Sequence, residues 1–160
     1  MNRNTTLKSI AIACASAAAL AATSKLAAHH SFAAEFDSTK ELTATGEVTE
    51  VEWQNPHAWI HMNATEICER TAVPRGSDAD PEEWNCRTEF TEDDVAWAFE
   101  LGSPNGLMRQ GWTRNSLQPG DVVTISGTRA RDGSTNSNAR NVTKADGTRL
   151  FAGSSENTTP

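Results

Sequence analysis

The chain of 160 residues has no run of about 20 consecutive apolar residues, so no segment reads as a helix spanning a bilayer. It has no GxSxG elbow, no P-loop and no dinucleotide fingerprint. The sequence signals of a serine hydrolase, a P-loop nucleotide-binding protein and a Rossmann enzyme are therefore missing. HExxH, CxxC, a close Cys/His cluster and an acidic calcium loop are also absent, which removes the commonest zinc and calcium patterns. Positive charge is scarce: 14 Lys and Arg face 21 Asp and Glu, for a net charge of -7. Such an acidic chain is a poor match for nucleic acid or anionic lipid. Histidine is used only at His29, His30, His57 and His61, and cysteine only at Cys14, Cys68 and Cys86.

What is present begins with a leader. Residues 1–28 carry Arg3, Lys8 and Lys25 and no acid. Between the lysines lies the apolar, small-residue stretch SIAIACASAAALAATS. A basic start, a short apolar middle and a small-residue exit predict a secretory signal peptide over residues 1–28. Cleavage fits after Ala21, at ALA, or after Ala28, at LAA. Either cut leaves a more acidic chain with no stable membrane anchor, and places it in the periplasm or outside the cell. Cys14 leaves with the leader. The even pair that remains, in an oxidising compartment, predicts a Cys68–Cys86 disulfide. It would close a loop of roughly 20 residues, worth about 3 kcal/mol in the chain-entropy model.

The rest reads as one all-β domain over residues 29–152. ELTATGEVTEVEW (41–53) is a strand rich in threonine and valine. Leu42, Ala44 and Val48 share one parity, whereas Val51 and Trp53 share the other, which predicts a bulge or bend eased by Gly46. HAWIHMNA (57–64) is a second strand, with Ala58, Ile60 and Met62 inward and His57, Trp59 and His61 on the opposite face. Residues 66–94 hold ten acids and three arginines, plus Pro74, Gly76 and Pro81, and read as an acidic surface insertion. In VAWAFEL (95–101), Val95, Trp97, Phe99 and Leu101 point one way and Glu100 the other. Ser103 and Pro104 begin a short helix. LQPGD turns the chain into a fourth strand over 121–128, and ARNVTKADGTRLF is a last strand with a turn at Asp146-Gly147. Residues 153–160 form a mobile tail. Three strands, a helix and two strands match a small OB-like barrel of five strands; a small β-sandwich is the alternative.

Several stretches together carry a resemblance: HHSFAAEFD, VEWQNPHAWIHM, FELGSPNGLMRQGWT, LQPGDVVTISG, NAR and DGTRLFAGSS. They resemble an uncharacterised family of small exported bacterial proteins that begin with HHSF and carry an NPHAW motif. The match covers most of residues 29–155 but leaves out the acidic insertion, which departs from the compact pattern. The resemblance implies an exported β domain and a leader cut close to HHSF.

With that cut, His29 offers a free amine and an imidazole on one residue. A second imidazole would complete three nitrogens in a T, a set suited to Cu(II), which prefers tetragonal nitrogen ligation. The arrangement resembles the histidine brace of copper monooxygenases and of some copper carriers. On a strand His57 and His61 stand about 13 Å apart, so one ion cannot take both. His57, placed at the strand end by Pro56, is the preferred partner of His29; His30 and His61 rank behind these two. Trp59, on the same face as His57, is a candidate wall of a ligand groove. The expected function is thus an exported small binding domain with a copper site at its mature N-terminus, and no catalytic residue is assigned. The rival readings are a copper-dependent oxidase or monooxygenase, and an accessory domain bound to an exported protein partner.

Overall fold

The computed structural model describes residues 32–73, 78–79 and 82–153. The leader, His29, His30 and residues 154–160 of the tail lie outside the described residues. Among the described residues two short helices and seven strands follow one another: α1 (Phe32–Glu35), β1 (Phe36–Glu52), β2 (Trp59–Thr71), β3 (Asn85–Arg87), β4 (Ala96–Glu100), α2 (Pro104–Arg109), β5 (Val122–Ala130), β6 (Asn136–Lys144) and β7 (Arg149–Phe151).

The all-β expectation holds, but the strand count does not: one sheet of seven strands replaces the expected five. The additions are three-residue strands at the margins. β3 pairs with β2, and β7 pairs with β6. The longer strands pair in a closed series, β1 with β2, β2 with β4, β4 with β6, β6 with β5 and β5 with β1. All of these pairs are antiparallel except β4 with β6. The described residues form this one sheet and not the alternative of two packed sheets.

Alternation directs the apolar side chains to one side of this series. Leu42, Ala44 and Val48 of β1, Ile60 and Met62 of β2, Trp97 and Phe99 of β4, and Val123 and Ile125 of β5 are all buried. Leu107 of α2 and Trp112 add to the same cluster. Val95, expected in the core, stands one residue before β4 and is only half-buried. The helix forms as its sequence dictates: Ser103 caps it, its hydroxyl accepting from the Gly106 N–H at 3.3 Å, and Pro104 opens the first turn.

Two bulges decide where the faces lie. In the β1–β2 pair Thr49 is the extra residue on β1, between Val48 and Glu50. It reverses the parity of β1, so that Val51 and Trp53 pack against the core after Val48. Thr65 is the extra residue on β2, between Ala64 and Glu66, and it reverses that strand. Beyond it the buried residue is Ile67. β2 therefore runs on to Thr71, through the first six residues of the segment expected as a surface insertion. Phe90 also packs against the core, while most other described residues of 66–94 are exposed or half-buried.

Gly127 lies beside a third irregularity, where Arg140 is the extra residue on β6. A Cβ at Gly127 would fall 1.7 Å from the Asn138 carbonyl oxygen. The strands can approach this closely only without a side chain there. Gly127→Ala is expected to lower stability by about 1–3 kcal/mol or more, the cost of overpacking against rigid backbone. Urea unfolding of the two proteins measures it, and an unchanged midpoint would contradict the close approach.

Candidate functional site

The site is built where β1 ends, β2 begins and β4 ends. After Glu52 the chain passes through Trp53 to the cis Asn55-Pro56 bond and then to His57. Residue 58 is tied to the end of β4 by two backbone hydrogen bonds: the Ala58 N–H donates to the Gly102 carbonyl at 3.2 Å, and the Leu101 N–H donates to the Ala58 carbonyl at 2.8 Å. Ala58 is fully buried, which turns His57 to the outer face.

There the His57 Nδ1 pairs with the Glu100 carboxylate. Glu100 alternates with Phe99 and Leu101 and so faces outward, yet it is 7% exposed. The His57 side chain is 43% exposed. Asn138, the register partner of Glu100 on β6, donates from Nδ2 to the Glu100 carbonyl at 3.4 Å. A buried carboxylate is costly unless it is paired, so the imidazole and the acid hold each other in place. A carboxylate at Nδ1 makes that nitrogen the N–H donor of the neutral ring. The lone pair then lies on Nε2, on a ring that solvent can reach.

His61 has its own carboxylate. Its Nε2 lies 2.7 Å from Glu52 Oε1, while Gln54 Nε2 donates to Glu52 Oε2 at 2.6 Å. In register His61 stands between Glu50 on β1 and Ala98 on β4. A cleft of about 300 Å³ opens beside it, lined among others by Thr49, Glu50, Ala98 and Thr135.

The sequence-derived residues are thus distributed as follows. His57, Trp59 and His61 lie on one face of the chain, half-buried, with Ala58, Ile60 and Met62 buried beneath. Trp59 sits between the two histidines and pairs in register with Glu52 and Glu100; the cleft is lined by His61 and not by Trp59. His29 and His30 lie outside the described residues. Cys68 and Cys86 are bonded, with S–S 2.03 Å, and face each other across β2 and β3. What sequence reasoning missed is the acid behind His57 and the acid behind His61. Glu100 did carry a signal, as the one charged residue in an otherwise apolar strand, but its partner comes from residues far earlier in the chain.

A model described as a family of unknown function (DUF6152) matches residues 13–86 and 70–139. The two matched stretches meet inside the acidic segment 66–94 and include both histidine–carboxylate pairs. No curated protein and no solved structure matches the chain.

Proposed function

The chain belongs to the DUF6152 family, a family of unknown function, and from that premise we propose that it is an exported small binding domain carrying one Cu(II) site. The ligands are the amine and imidazole of His29, once the leader is cut after Ala28, together with Nε2 of His57. The observation that carries the reading is the His57–Glu100 pair. Histidines that bind metal are typically oriented by a carboxylate or carbonyl on the other ring nitrogen, which fixes the tautomer and raises ligand basicity. Glu100 supplies that partner from a buried position. The set of an amine and two imidazoles suits Cu(II), and the acidic chain favours a cation. Bound copper would supply Lewis acidity or one-electron chemistry. The chain's own part is to hold the imidazole in a fixed tautomer.

The fold that presents this site is read as OB-like. The order β1–β2–β4–β6–β5–β1, a single parallel pair and a helix between β4 and β5 support that reading, with β3 and β7 as additions. Export to the periplasm or beyond is supported by the basic, apolar and small-residue pattern of residues 1–28 and by the disulfide. Intact mass of protein recovered from the periplasm is expected to correspond to a start at His29. A start at Ala22 would leave His29 without its free amine, and the site as described would fall.

A further inference from the structure

A second group of ligand atoms lies on the other arm of β2. The bulge at Thr65 turns Glu66 and Cys68 to the outer face while Ile67 enters the core. Cys86 on β3 is the register partner of Cys68. One carboxylate oxygen of Glu66 and the two sulfurs all lie within 4.8 Å of one another. We propose that Cys68 and Cys86 form a reducible pair whose dithiol form, with Glu66, binds one zinc ion.

Access favours the redox step. Cys86 is exposed and Cys68 is half-buried, so a thiolate from solvent can reach the bond; exposed disulfides are the more labile ones. A dithiol reductant gives up two electrons and two protons and becomes a disulfide, while Cys68 and Cys86 become thiols. Zinc then displaces those two protons. Two thiolates and a carboxylate fill three tetrahedral positions, and water takes the fourth. Two thiolates on one zinc stand about 3.8 Å apart, given Zn–S bonds of about 2.3 Å, a separation that opposed side chains on paired strands reach by rotation alone.

Contacts other than the disulfide keep the strands together after reduction. The Arg87 guanidinium lies 2.5 Å from Asp94 Oδ2 and 4.6 Å from the centre of the Phe90 ring, and Phe90 packs on the core. On the other side of the cysteines Arg70 stacks over Trp84 at 4.4 Å and pairs with Glu41 of β1 at 2.6 Å. The thiols are therefore presented as a pair by residues that do not depend on the bond between them. This site shares no residue with the proposed copper site and does not rest on it.

Cobalt(II) is the probe, because thiolate ligation gives a sulfur-to-cobalt charge-transfer band that histidine ligation does not. The whole protein is reduced with a phosphine, which leaves as its oxide while water supplies the oxygen and the thiol protons. Reduced wild type should take up one cobalt per chain with the band, and one equivalent of zinc should remove it. The oxidised protein, Cys68→Ser and Cys86→Ser should show no band. Glu66→Gln should weaken binding by at least the roughly 10- to 100-fold that loss of an outer-shell partner costs a metal site. Near-ultraviolet circular dichroism follows the fold throughout. A folded, reduced protein with two titratable thiols and no band would overturn the proposal. An unaltered affinity in Glu66→Gln, or loss of the folded signal on reduction, would overturn it equally, since the site needs the carboxylate and a β3 held in place.

Discussion

Phe99→Ala is expected to lower the unfolding free energy by about 3–5 kcal/mol, the usual cost of truncating a buried phenylalanine. Phe99 is fully buried on β4, opposite Ile60 of β2 and Ser137 of β6. Its ring stacks on Trp97 with centroids 6.1 Å apart. Because the strands around it pair in a closed series, they cannot slide together to fill the space, and the cavity stays. Against a typical total of about 5–15 kcal/mol, such a loss brings the variant close to unfolding at room temperature. Val95→Ala removes a half-buried side chain just outside the strand and should cost much less. Urea unfolding followed by tryptophan fluorescence measures both. A loss below about 1 kcal/mol for Phe99→Ala would place this residue outside a rigid core.

That core was readable because it follows a period of two. Leu42, Ala44, Trp97, Phe99 and Ile125 each sit in a run whose alternate members are polar or small, Ile60 and Met62 alternate with Trp59, His61 and Asn63, and all seven are buried. The break of parity between Val48 and Val51 announced a bulge, and Thr49 is that bulge. The same device on β2 hid the strand instead. Thr65 reverses the alternation just where acidic residues begin, so Ile67 looked isolated and the strand was expected to end at residue 64. β3 and β7 have three residues each, too few to show a period. Their existence depends on partners already in place.

The histidines divide the same way. Their common face was legible from the spacing of His57, Trp59 and His61 along one strand. Their carboxylates were not, because each pairing is made by the fold. Glu100 reaches His57 from a strand some forty residues onward, and Glu52 reaches His61 across the β1–β2 turn. The cysteines are the counterpart: distant in sequence, with no CxxC, they read as a disulfide and not as ligands. Only the register of β2 against β3 brings Cys86 to Cys68 and so to Glu66, which stands two residues before Cys68 on β2.

The proposed copper site makes the largest functional prediction. Mature protein should bind about one Cu(II) per chain, and two changes should each weaken it by more than the roughly 10- to 100-fold typical of outer-shell loss. One is a residue added before His29, which moves the free amine away from the imidazole. The other is His57→Ala, which removes a ligand directly. Glu100→Gln should fall within the 10- to 100-fold range itself, since the amide keeps the shape but no longer enforces the Nδ1–H tautomer. His61→Ala should change little, because it stands within β2, four residues beyond His57, and its Nε2 is engaged by Glu52. Acidification should release the metal, because protons compete for the same nitrogens. His57→Ala leaves the buried Glu100 without its imidazole, which costs stability, so circular dichroism must show each variant folded before its affinity is compared. Calorimetric titration with Cu(II) against a competing chelator reads all four variants. Tight binding that survives both the added residue and His57→Ala would remove the site, and an effect of His61→Ala as large as that of His57→Ala would move it to the other histidine.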